Sequence, residues 1–214
     1  MAMETNWAAE HLQVIRTLME RSAVYRRALA PMMLFNGAVG TIAAVAGIAL
    51  KIQGPRAFIA YWACVALLAL AGSFLLVRRQ ALKESEPFWS PPTRRVTHAM
   101  LPTLVGGCII SAVIFFAVAD GDPIGPTIAM LWLPIGWVVL YGCGFHAAGF
   151  FMPRGMRLFG WVMIIGGCLV FAFGIPDNVN RLHYGHGIMG FFFGVLHLAY
   201  GVYIYFTDQR RDET

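Results

Sequence analysis

The sequence predicts an all-α polytopic membrane protein, six transmembrane helices preceded by an N-terminal amphipathic helix, and three observations lead there. The 214-residue chain is 58% hydrophobic and only 13% charged, whereas about a quarter of the residues in a soluble domain are charged. Its mean hydropathy is +0.65. A helix crossing a hydrocarbon core of about 30 Å needs about 20 apolar residues. Runs of about that length cover residues 31–50, 57–77, 99–119, 126–151, 158–175 and 184–206, none with Lys, Arg, Asp or Glu inside. The runs are continuous, which excludes the alternating segments of about ten residues that build a transmembrane barrel. Backbone groups in lipid must pair within their own segment, and that leaves helices.

The elements follow in chain order. Residues 1–28 are expected to form a cytoplasmic amphipathic helix, with Ala8, Leu12, Ile15, Leu18, Met19 and Ala23 on one side and Glu10, Gln13, Arg16, Thr17, Glu20, Arg21 and Arg27 on the other. It lies along the inner leaflet, with Arg16, Arg21, Arg26 and Arg27 near anionic headgroups, or docks on the ends of the bundle. The first apolar run spans a bilayer and has no small-residue cleavage site after it, so it reads as a retained crossing rather than a signal peptide. Residues 29–207 form the six-helix domain, residues 78–98 a cytoplasmic loop and residues 208–214 a cytoplasmic tail. The loop RRQALKESEPFWSPPTRR is too short for a domain and brings Phe88 and Trp89 to the interface. Pro153 and Gly155 break the chain in MPRGMR, the short turn between the fourth and fifth helices.

Basic residues set the orientation. Arg16, Arg21, Arg26, Arg27, Arg78, Arg79, Lys83, Arg94, Arg95, Arg154, Arg157, Arg210 and Arg211 fall on one side, and Lys51, Arg56 and Arg181 on the other, a split of 13 to 3. The excess of positive charge inside places both termini in the cytoplasm and the acidic turn with Asp120 and Asp122 outside. The formal charge of +5 follows this topology and does not gather with aromatics into a nucleic-acid surface. Cys64, Cys108, Cys143 and Cys168 sit one each in four apolar runs with no C-x-x-C spacing, and read as small buried hydrophobes. Gly-Gly-Cys at 106–108 and again at 166–168 is a faint sign of repetition.

Three stretches, LQVIRTLMERSAVYRRALAPMMLFNGAVG, LYGCGFHAAGFFMPRGMRLFGW and GVLHLAYGVYIYF, resemble a family of small bacterial six-helix integral membrane proteins without an assigned activity. The resemblance implies placement in a bacterial inner (plasma) membrane. It transfers no catalytic or binding residue.

Ionisable groups at bilayer depth are functional candidates by default. In the sixth run Gly187, Gly190, Gly194, His197 and Gly201 recur at i, i+3, i+7, i+10 and i+14, and small residues at such spacing let helices approach closely. His197 is therefore expected to face protein as a neutral imidazole, donating to a backbone carbonyl or a polar side chain of the fourth or fifth helix. His146 lies between Gly142 and Gly149, and Gly160, Gly167 and Gly174 recur every seven residues in the fifth run. The last three helices are thus expected to form the tight half of the bundle.

The sharper alternative makes His146 and His197 axial haem ligands, although depths of about six and about nine residues from the cytoplasmic end would offset them by roughly 5 Å. His183 and His186 form H-x-x-H beside Asp177 and across from Asp120 and Asp122, a set of donors suited to a divalent metal such as zinc. Ser73 and Ser111 lack any activating motif, and no phosphate loop is present. Asn36 and Pro134 are the only hints of a midplane transport site, and Pro134 reads as a simple kink. The leading expectation is a non-catalytic membrane module or accessory subunit that carries no cofactor, contacts the lipid bilayer and has a membrane-protein partner or forms a homo-oligomer. The alternatives are a small solute or ion transporter, and a haem- or metal-binding protein using His146/His197 or His183/His186.

Overall fold

The computed structural model describes residues 28–83, 87–118, 123–152, 154–173 and 180–212. The expected N-terminal amphipathic helix with Arg16, Arg21, Arg26 and Arg27 lies outside the described residues, as do Asp120, Asp122, Gly174 and Asp177. The described chain is helical with no strand, and six of its helices are long and apolar enough to cross a membrane. They are α1 (Ala28–Ala49), α2 (Pro55–Lys83), α3 (Pro91–Ala117), α4 (Gly125–Ala148), α5 (Arg154–Phe173) and α6. Helix α6 runs through Arg181–Met189, a π-helical turn at Gly190–Val195, and Leu196–Asp212.

The helices outrun the apolar stretches that announced them. Helix α2 continues past Val77 to Lys83, and α3 starts at Pro91, ahead of Ala99. Apolarity marks the hydrocarbon layer, not the end of a helix, and arginine stems can lie along apolar surface with the guanidinium in water. Pro91 and Pro92 open α3 at positions where the N–H would be unpaired anyway. The end of α1 is held by Lys51 N–H to the Ile48 carbonyl (3.1 Å) and Ile52 N–H to the Gly47 carbonyl (3.1 Å). This closure puts Lys51 at φ 52°, a left-handed position that glycine usually fills.

Helix α6 stands beside α4 at the centre of the bundle. It packs against α1 through a run of close backbone approaches, against α2 through Trp62, against α4 through Tyr141 and against α5 through Gly166 and Phe159. The main core joins Met33 of α1, Val138 and Phe145 of α4, Met156, Phe159 and Met163 of α5, and Ile188 and Phe192 of α6. A second cluster joins Ala43 and Ala44 of α1, Phe58 and Trp62 of α2, Met130 of α4 and Met189 of α6. Helices α2 and α3 are peripheral: 11% and 6% of their spans are buried, against 56% for α4. One stripe of α2 lies on α1, where Ser73 donates to the Asn36 side chain (3.0 Å) and Tyr61 to the Ala43 carbonyl (2.6 Å). One stripe of α3 lies on α4, where the Trp137 indole donates to Ser111 (2.9 Å).

The same physics corrects the reading of the cysteines. Cys64, Cys108, Cys143 and Cys168 are all exposed on the outside of the bundle. Lipid tails are as apolar as leucine, so nothing drives a small apolar side chain inward.

Candidate functional site

The centre of the bundle is built around His197, which is 1% exposed. Its position follows from the π turn. A π turn inserts an extra residue into the helical repeat and leaves carbonyls offered at i+5: here the Leu196 N–H returns to the Phe191 carbonyl. The next carbonyl, that of Phe192, receives the His197 imidazole instead, at 2.8 Å from Nδ1. A carbonyl only accepts, so Nδ1 carries the hydrogen, and in a neutral ring Nε2 is left as an acceptor. Tyr141 of α4 supplies the donor, its hydroxyl 3.0 Å from Nε2. Both nitrogens are therefore engaged, one by the helix itself and one by α4. Four rings enclose the imidazole: Tyr141 and Phe145 of α4, Phe159 of α5 and Phe193 of α6.

His197 does not point the way of the glycines that share its spacing in the sequence. Gly190 meets Ala44, Gly194 meets Thr41 and Gly201 meets Leu34, all on α1. The spacing makes one stripe of them, but within the regular helix after the π turn His197 already stands about 40° around the axis from Gly201. In the fold the glycines face α1 while His197 faces α4 and α5. Gly187 has nothing within 4 Å of where its Cβ would stand. Helix α5 uses Gly160 against the backbone of His146 and Gly142, and Gly167 against Val138 and Val139, all of α4.

Helix α1 supplies the partner surface that sequence reading missed. A Cβ on Gly40 would lie 2.5 Å from the Phe193 carbonyl oxygen, and one on Gly37 would lie 2.6 Å from the Leu198 nitrogen. Gly47 faces the His186 ring. Gly37, Gly40, Ala44 and Gly47 recur at i, i+3, i+7 and i+10, the same spacing as in α6, and that was the available signal.

His146 and His197 are not brought together. His146 lies beside Phe150 and Trp161, with Nδ1 buried and without a hydrogen-bond partner. None of these rings belongs to the shell around His197, because His146 is about 100° around the helix from Phe145. His183 is exposed and His186 is fully buried. The Trp62 indole donates to His186 Nδ1 at 3.2 Å, which puts the hydrogen of the neutral ring on Nε2. That atom is buried and has no hydrogen-bond partner. Phe58, Tyr61 and Trp62 surround the ring. Among the described residues no three His, Cys, Asp or Glu side chains come together as metal ligands, and Asp177 is outside that set.

Pro134 does more than kink α4. It has no N–H for the Met130 carbonyl four residues back, and the helix takes a π turn at Ile128–Trp132 just before it. The Met130 carbonyl faces Gly185 of α6, where the missing Cβ lets the two backbones meet. Asn36 is committed to Ser73.

No protein-family model, curated protein or solved structure matches the chain, so the residues above are read from their own geometry.

Proposed function

We propose that the chain is a non-catalytic membrane module, a lipid-embedded scaffold or accessory subunit. We place it in a bacterial inner membrane with both termini and residues 78–98 cytoplasmic. The observation that carries the reading is the saturation of His197. This buried imidazole uses both nitrogens to tie α6 to itself and to α4. Catalysis or transport needs polar groups turned toward a substrate, whereas these are turned toward each other. The orientation draws support from the 13 to 3 division of basic residues, and the bacterial placement from the resemblance carried by the three quoted stretches. A membrane-protein partner or a second copy would meet the exposed faces of α2 and α3.

The test is the absorption spectrum of the purified protein together with its metal content. A featureless visible region and no stoichiometric metal are expected. A haem band, or a bound metal lost in His197→Ala or His186→Ala, would overturn the reading. For orientation, a reporter fused after Thr214 is expected to be active only in the cytoplasm, and periplasmic activity would reverse the assignment.

A second reading, a small solute or ion pathway, draws support from the π turns in α4 and α6, since such turns are frequent at functional sites. Solute or ion flux in proteoliposomes, lost in Tyr141→Phe, would favour it over the scaffold.

A further inference from the structure

We propose that the start of α3 is a binding site for one anionic phospholipid, with the phosphate on Arg94 and Arg95 and an acyl chain along the helix. The proposal goes beyond the scaffold reading and does not depend on it. An open cavity of about 540 Å³ lies here, lined by Pro91, Arg94, Arg95, His98 and Ala99 of α3 and by Phe151 from the turn after α4. Arg94, Arg95 and His98 are exposed, and the positive end of the α3 dipole adds to their field.

What selects a lipid over a free anion is the surface that continues from the cavity. Arg94, His98, Leu101, Val105, Ile109, Ala112 and Phe116 follow at intervals of three or four, and all are exposed. They lie within one narrow arc of the helix, basic at one end and apolar thereafter. From Leu101 to Ile109 the stripe rises about 12 Å, close to one leaflet of a core about 30 Å thick. Phe151 stands beside the basic end, where an aromatic ring suits the headgroup boundary. Charge complementarity thus fixes the headgroup, and the apolar stripe fixes the chain beneath it.

Native mass spectrometry of the full-length protein tests the proposal, with dioleoyl phosphatidylglycerol, dioleoyl phosphatidylcholine and inorganic phosphate as probes. One phosphatidylglycerol is expected to remain bound where the phosphatidylcholine does not. Arg94→Gln with Arg95→Gln is expected to bind it about thirtyfold more weakly, from about fivefold per arginine, while folding as the wild type by circular dichroism. Arg94→Lys with Arg95→Lys keeps most of the binding, because the charge is preserved. The quadruple variant Arg16→Gln, Arg21→Gln, Arg26→Gln and Arg27→Gln also keeps it. Equal retention of phosphatidylcholine would overturn the charge selection, and inorganic phosphate binding as tightly would make this a free-anion site only. Undiminished binding in the Arg94/Arg95 glutamine variant, or its loss in the quadruple variant, would overturn the location.

Discussion

Placing one methyl group at Gly40 tests whether the α1–α6 crossing holds the bundle. In Gly40→Ala the new carbon would lie 2.5 Å from the Phe193 oxygen, 2.7 Å from the Phe193 carbonyl carbon and 2.9 Å from the Gly194 nitrogen. All three are backbone atoms of α6, so no side chain can swing away. Ordinary contact needs about 3.5 Å, so α1 must retreat by about 1 Å, and such a gap removes a quarter to a half of each contact's dispersion energy. The same retreat loosens Gly37 on Leu198, Thr41 on Gly194, Ala44 on Gly190 and Leu34 on Gly201. For about 30 atom pairs at about 0.15 kcal/mol, losing about a third of each gives about 1.5 kcal/mol, within the range of about 1–3 kcal/mol for overpacking. Alanine is also the better helix former, by about 1 kcal/mol in water, and this term must be cancelled. Gly106→Ala and Gly187→Ala do so, since neither meets anything within 4 Å. Unfolding in mixed micelles, followed by circular dichroism as denaturing detergent is added, should put Gly40→Ala about 1.5 kcal/mol below both controls. Agreement of all three variants within about 0.5 kcal/mol, the usual spread of neutral surface changes, would refute the reasoning.

The other expectations use the same assay or simple binding. Gly194→Leu should destabilise at least as much as His197→Ala, because its side chain meets the Thr41 backbone whereas an intramembrane hydrogen bond is worth about 0.6 kcal/mol on average; the reverse order would sink this ranking. Tyr141→Phe removes the donor to His197 Nε2 and should cost between about 0.6 and about 1.7 kcal/mol, while a gain in stability would contradict the hydrogen-bond assignment. Lys51→Gly relieves the left-handed backbone at φ 52° and should stabilise by about 1 kcal/mol; no gain in the melting midpoint would argue against that strain. A peptide of residues 1–27 should gain helicity on anionic vesicles and lose affinity with salt, and indifference to vesicles would favour docking on the bundle.

The fold was legible because membrane insertion is written in a one-dimensional property. A run such as Ala57 to Val77 needs only to be apolar and long, and each of the six runs lies largely within one observed helix. Helix direction around its axis was far less legible. Gly201 meets α1 while His197, about 40° around the same helix, turns to α4, and no residue in GFFFGV declares the π turn that offers the Phe192 carbonyl to the imidazole. The partner of the glycine face was misassigned for a different reason. Sequence order favoured the neighbours α4 and α5, while the matching glycines at 37, 40 and 47 stand at the other end of the chain. Tyr141 and Trp62 were invisible as partners of histidines because an aromatic residue in an apolar run carries no mark of where its polar atom points. The cysteines misled because burial rules learned in water do not hold against lipid.

The crossing of α1 with α6 joins spans that lie far apart in the chain, with four others between them. At about 5–20 residues per second, roughly ten seconds of translation separate Gly47 from the His186 ring that covers it. Through that interval the glycine face of α1 stands in the bilayer with its final partner not yet made, and α2 can cover only the stripe around Phe35, Asn36 and Ala43. Assembly of the bundle is therefore post-insertional: α2 to α5 must be threaded before α6 can close on α1.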